Sequence, residues 1–119
     1  MDERKKRGDW GEAAVAGWLE RRGCAIVARQ YRCRWGEIDL IARTAEGLLC
    51  FVEVKTRSPQ AIAPPRAAVT PAKQRRLRDA AAWYLAQTGE DCPCRFDVAE
   101  VYPAGPGGRR QINYIISAF

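Results

Sequence analysis

Two short stretches of this 119-residue chain hold the side chains best suited to chemistry: Gly36-Glu37-Ile38-Asp39-Leu40-Ile41 and Phe51-Val52-Glu53-Val54-Lys55. Asp39 and Glu53 supply carboxylate oxygens, and Lys55 places an ammonium just beyond the second acid. Carboxylates of this kind hold magnesium, with substrate phosphate completing the ion's shell. Histidine is absent, which removes Ser-His-Asp and Cys-His nucleophilic sites, H-E-x-x-H zinc hydrolysis and His-metal nucleases. Any general base is then a carboxylate, a lysine, a tyrosine, a thiolate or a metal-bound water.

The elements around these residues must bring them together. Glu37 to Thr44 and Leu48 to Arg57 read as strands, joined by Ala45-Glu46-Gly47 with Gly47 left-handed. Side chains alternate along a strand, so Glu37, Asp39 and Ile41 share one face of the first. Leu49, Phe51, Glu53 and Lys55 share a face of the second. The short loop pairs Thr44 with Leu48, Ile41 with Phe51 and Asp39 with Glu53, unless a bulge at Gly47 shifts the register. Like charges opposite one another weaken a sheet, and half-buried carboxylates carry a desolvation cost. A divalent ion resolves both. A solvated salt-bridge ladder of Glu37, Asp39, Glu53 and Lys55 is the alternative.

Residues 8 to 22 read as a helix in which Glu12, Val15, Ala16 and Leu19 fall on one face. Glu12 heads an apolar stripe, so it either lines a site floored by the strands or serves as a helix-start carboxylate. Thr70-Pro71 opens a second helix running to about Gln87, with threonine as N-cap and proline at the first position. A strand through Ala25-Ile26-Val27 precedes the hairpin, and Cys94 to Val101 and Gln111 to Ser117 follow the second helix. Ser58 to Val69, with Pro59, Pro64 and Pro65, and Pro103 to Gly108 read as loops. Helix, three strands, helix, two strands indicates an α/β fold, a mixed sheet with helices packed on it.

The second helix opens on Lys73, Arg75, Arg76 and Arg78, where the macrodipole prefers anions. From Lys55 to Arg78 seven basic residues (Lys55, Arg57, Arg66, Lys73, Arg75, Arg76 and Arg78) occur without an acid. Such a run suits a phosphate backbone; a solvated basic face is the plainer reading. Lys73 aligns with Leu77, with Ala80 or Ala81, and with Tyr84, and so points towards the sheet.

The whole chain is basic, with 20 Lys and Arg against 14 Asp and Glu, which suggests a polyanionic partner. At 47% hydrophobic residues and 13.3 kDa it reads as one domain, residues 1–119, with 1–7 a flexible basic start. No apolar run has the length of a membrane span, no secretory leader is evident, and a cytoplasmic protein is the default. The five cysteines fit reduced thiols, Cys50 reads as core, and Cys92-Pro93-Cys94 matches no zinc-finger spacing.

Gly11-Glu12-Ala13-Ala14, Gly36 to Ala42, Phe51 to Arg57, the Val69 to Lys73 helix start and Arg95-Phe96-Asp97-Val98 together resemble the YraN-like family of small bacterial proteins. That family is similar to the PD-(D/E)XK, or restriction-endonuclease-like, nuclease superfamily, on the side of the Holliday-junction resolvases. The resemblance implies a restriction-endonuclease-like mixed β-sheet with flanking helices. It also implies Mg²⁺ or Mn²⁺ held by Asp39, Glu53 and the carbonyl of Val54, with Glu12 completing the site or holding a second ion. Lys55 would position and polarise the attacking water. Arg57, Lys73, Arg75, Arg76 and Arg78 would meet the nucleic acid. Gln30 departs from the pattern, which usually has asparagine there, and the loop Ala61 to Pro65 lacks a customary glycine.

These readings converge on a metal-dependent endonuclease hydrolysing DNA, with branched DNA as a candidate substrate and a homodimer suggested by analogy with resolvases. The alternatives are a DNA- or RNA-binding module without catalysis, and an interaction protein that turns its basic face to an acidic partner. The hydrolase expectation requires Glu12, Asp39 and Glu53 to converge.

Overall fold

The computed structural model describes residues 3–57, 69–103 and 110–119. Helix α1 spans Glu3–Arg21, followed by strands β1 (Ala25–Cys33), β2 (Gly36–Arg43) and β3 (Leu49–Thr56). Helix α2 spans Pro71–Thr88, and β4 (Cys94–Tyr102) and β5 (Gln111–Ile115) complete the chain. The fold is α/β, as the element order indicates. Most of the proline-rich loop after Ser58, including Arg66, and nearly all of the 103–108 turn lie outside the described residues.

The strands form one mixed sheet in the order β1-β2-β3-β4-β5. Neighbours are antiparallel except β3 and β4, whose parallel pairing requires a crossover, supplied by α2. One helix covers each face. On one side Ala14, Val15, Ala16 and Leu19 of α1 pack against Leu40, Ala42, Cys50, Val52, Ala99 and Val101. On the other, Leu77, Ala80, Ala81 and Tyr84 of α2 pack against Ile38, Ile41, Leu49, Phe51 and Val98. The sheet is buried on both faces at its centre, so β3 reads as a nearly continuous apolar run.

Local chemistry places the ends of α2. The Thr70 side chain accepts the Lys73 N–H, proline follows, and Gly89 closes the helix at φ 71°. Gly47 takes φ 92° in the β2–β3 turn, the left-handed conformation a hairpin of that length needs. Helix α1 begins at Glu3 and not at residue 8, in keeping with the helix propensity of Glu-Arg-Lys-Lys-Arg.

Two sequence readings need correction. The β2–β3 ladder runs from Arg43↔Leu49 to Leu40↔Val52 and stops there, so Asp39 and Glu53 are not a paired rung. Nor do Glu37, Asp39 and Ile41 share a face. Ile38 and Ile41 both enter the α2-side core while Leu40 enters the other, so alternation is interrupted at Asp39. β1 shifts register between Ile26 and Ala28 and is irregular again at the level of Asp39: Ala28 and Tyr31 face the same core, and between them Gln30 takes φ 50°. Asparagine is among the few non-glycine residues at ease in that region, a physical reason for the usual residue of the resembling family.

Gly11 lets α1 approach the end of β3. A Cβ built there would clash with Thr56 Oγ1 and stand 3.7 Å from Val54 Cγ1. Gly11→Ala is expected to push α1 off the sheet beside Glu12 and to lower stability by about 1–3 kcal/mol, readable in a thermal melt. An unchanged melting temperature would show that Thr56 can rotate away without cost.

Candidate active site

Asp39 sits where β2 and β3 part. Having left the ladder, its carboxylate takes over part of the ladder's role: Val54 N–H donates to Asp39 Oδ2 at 2.8 Å. Two clefts meet at this residue. One, of about 320 Å³, is lined by Gly36, Glu37, Asp39, Glu53, Lys73, Arg76 and Leu77. The other, of about 330 Å³, is lined by Asp9, Glu12, Gln30, Arg32, Glu37, Asp39 and Val54.

On the α2 side Glu53 is 5% exposed, and Lys73 Nζ lies 2.6 Å and Lys55 Nζ 3.3 Å from its Oε1. Lys73 therefore does point inward. Burial is the largest single influence and works against its ammonium, but the bonds to Glu53 and Lys55 and the charges of Glu53 and Asp39 together outweigh it and hold its pKa above the ordinary lysine value. Lys55 goes the other way: burial first, then the neighbouring Lys73, lower its pKa. A solvated ladder is excluded for Glu53 by this burial. Glu37, by contrast, is an exposed partner of Arg32 at 3.4 Å.

On the α1 side Glu12 is 4% exposed, with Arg29 Nε 3.4 Å from its Oε1. Burial raises its pKa, and Arg29 and Gln30 offset part of that effect. Gln30 in turn donates from Nε2 to Asp9 Oδ1 at 2.9 Å, tying the irregular turn of β1 to α1.

Asp39 carries the largest tension. Burial first, and then the nearby Glu53 charge, push its carboxyl up to about 7 from an ordinary 3.8. The Val54 N–H and Lys73 oppose this incompletely. A half-buried acid with a buried second acid beside it is electrostatically short of positive charge. The three acids meet pairwise at Asp39, which feels the charges of both Glu53 and Glu12, although among the described residues no group of three His, Cys, Asp or Glu side chains is gathered for one ion. Glu53 lines one cleft and Glu12 the other, and Asp39 borders both.

The basic residues divide as well. Arg75 and Arg76 are exposed on α2, and Arg78 lies over the rings of Phe96 at 4.9 Å and Phe119 at 5.5 Å. Arg57 turns inward, its Nε 2.8 Å from Oε2 of the wholly buried Glu100. Its side chain is 18% exposed, so sequence reasoning misplaced it among surface cations. Sequence reasoning also assigned no role to Asp97 and Glu100, both fully buried on β4. The available signal was their setting: Phe96 to Val101 is otherwise apolar, and an acid inside such a strand must be buried and paired.

A small α/β protein with an acidic cleft, fringed by lysine and arginine, is the class that fold and geometry define. A family model described as the uncharacterised protein family UPF0102 matches residues 11–101, and the chain belongs to that family, the YraN-like proteins. It is 52% identical over 116 residues to a UPF0102 protein of Symbiobacterium thermophilum, covering 97% of each chain. It is 51% identical over 98 residues to one from Ralstonia pickettii, covering 79% of this chain and 78% of that one. Among solved structures, Pyrococcus furiosus SfsA in complex with Ca²⁺ aligns at a TM-score of 0.40 and 16% identity, over 94% of this chain and 62% of that one. Among the described residues no helix is long and apolar enough to cross a membrane.

Proposed function

We propose that this protein is a metal-dependent endonuclease of the restriction-endonuclease-like kind, hydrolysing phosphodiester bonds in DNA, with branched DNA as a preferred substrate. One observation carries the reading: a desolvated Asp39–Glu53 carboxylate pair beside two lysines, in a cleft of a strongly basic protein. The donor set fits Mg²⁺ or Mn²⁺. Its oxygens are hard, and the raised Asp39 pKa marks a charge deficit that a divalent cation would relieve. Asp39, Glu53 and the Val54 carbonyl would hold the ion, with Glu12 reaching the same acid from the other cleft. When bound, the ion would draw charge from a phosphate oxygen as the bond breaks.

The chain's own groups do the rest. Lys73 fixes Glu53 in place through its 2.6 Å contact. Lys55, with its lowered pKa, positions and polarises the attacking water. Arg75 and Arg76 draw the phosphate backbone to the cleft mouth.

Purified protein should nick branched DNA when Mg²⁺ or Mn²⁺ is present, with little nicking in EDTA. A second reading has its own support: Glu53 is already neutralised by two ammoniums. Salt-sensitive binding without cleavage of any DNA or RNA under either metal would select this non-catalytic binding module and overturn the nuclease.

A further inference from the structure

Three of the four tryptophans are exposed, and two of them, Trp35 and Trp83, border one cleft of about 340 Å³. Ala82 and Ala86 also line it, as does the carboxylate of Asp79. Indoles are costly to leave in water unless something stacks on them. Exposed aromatic faces of this kind take planar rings, and Asp79 offers an acceptor for a ring N–H or amino group.

The cleft's neighbours suggest what ring. Trp35 adjoins Gly36, which lines the Asp39–Glu53 cleft, and on α2 Asp79 lies one turn beyond Arg76, which lines that cleft too. Three residues of helix span roughly 4.5 Å, so the two clefts are adjacent. The juxtaposition is rigid: a Cβ built on Gly36 would stand 3.4 Å from the Arg76 carbonyl oxygen. The rim is cationic, with Arg75 and Arg76 on the same helical stripe and the Arg34 guanidinium 4.9 Å from the Trp35 ring centroid. A second copy docked symmetrically here would set those arginines against their equivalents. A polyanion would not.

We infer that the Trp35–Trp83 cleft receives an unpaired nucleobase from the strand whose phosphates lie on Arg75 and Arg76 and lead into the Asp39–Glu53 cleft. This rests on the nucleic-acid reading and narrows it to substrates offering an unstacked base, such as a single strand or a branch point.

Fluorescence anisotropy in EDTA, with no cleavage, tests it using a labelled oligothymidylate 12-mer, the same length of strand carrying a central abasic run, and a 12-base-pair duplex. The Trp35→Ala/Trp83→Ala double variant should weaken binding of the single strand about tenfold to a hundredfold while changing duplex binding about twofold or less. The Trp83→Phe variant, which keeps an aromatic face, should retain most of the affinity. The abasic strand should bind wild type about tenfold to a hundredfold more weakly than the intact strand does, a readout that needs no mutant to fold. Equal wild-type affinity for intact and abasic strands would overturn the base site while leaving a backbone-binding protein. A dimer that dissociates in the double variant would make the face a self-association surface and overturn it too. Wild type binding none of the three probes would remove the nucleic-acid reading and this inference with it.

Discussion

The Asp39→Asn variant is expected to melt above wild type at pH 7 in the absence of metal, and to lose metal-dependent cutting. The stability effect follows from the Asp39 carboxyl, raised to about 7 by burial and by Glu53. The folded protein holds this proton more tightly than the unfolded chain does. Stability is therefore unaffected below the ordinary 3.8, falls as pH rises from there to about 7, and is constant above. An amide escapes this cost and still offers an oxygen to the Val54 N–H. Discounted for solvent access and for the coupling to Glu53, the gain at pH 7 is about 1–2 kcal/mol, roughly 3–10 °C. It should vanish near pH 4. Cutting, which requires an anionic oxygen for the ion, should fall at least about a hundredfold.

The two readouts together separate a working site from a structural one. A carboxylate retained for packing or pairing would destabilise the protein when replaced. A carboxylate retained for chemistry carries its cost in the resting fold and is relieved when neutralised. Scanning calorimetry between pH 4 and 8, with and without Mg²⁺, measures both: Mg²⁺ should raise the melting temperature of wild type and leave Asp39→Asn unmoved. A variant that melts below wild type at every pH, or that cuts as fast, would remove Asp39 from the site.

Which parts were legible in the sequence follows from how far each signal reaches along the chain. The start of α2 depends on Thr70 and Pro71, and the hairpin turn on Gly47, so neighbouring residues sufficed. The buried faces of α1 and α2 followed from helical period, and Glu12 and Lys73 turn inward as that period required. The break at Asp39 did not follow. It depends on two strands losing alternation at one level, with Gln30 left-handed and bonded to Asp9 across 21 positions. A perfect period-two extrapolation therefore carried Asp39 onto a rung that does not exist, yet correctly placed it next to Glu53. Arg57 was misread for a related reason: its partner Glu100 is 43 residues away, and a run of cations looks the same whether or not one member is buried.

Asp97→Ala should be among the most damaging substitutions in the chain, although it touches neither cleft. The Asp97 carboxylate, fully buried, accepts from Arg95 Nε at 2.9 Å and Nη2 at 3.0 Å, from the Tyr114 hydroxyl at 2.6 Å and from Ser117 N–H at 2.9 Å. These donors fasten β5 and the turn after it to β4, including Ser117 at φ 52°. Burial, then the bond to Asp97, push the Tyr114 pKa far above its usual value, so this hydroxyl remains a donor throughout the accessible pH range. Alanine would strand a buried hydroxyl and a largely buried guanidinium together. Losing one partner of such a set costs about 3–5 kcal/mol, a large share of the stability of a domain this size. Tyr114→Phe, which removes a donor and leaves the Arg95 pair intact, should cost less, about 1.5–3 kcal/mol. Denaturant melts would rank them: Asp97→Ala below Tyr114→Phe, both below wild type and far from Asp39→Asn on the other side. If Asp97→Ala melted within about 1 kcal/mol of wild type, the carboxylate would contribute little beyond its own desolvation, as some buried ion pairs do, and β5 would be held by its ladder and apolar contacts alone.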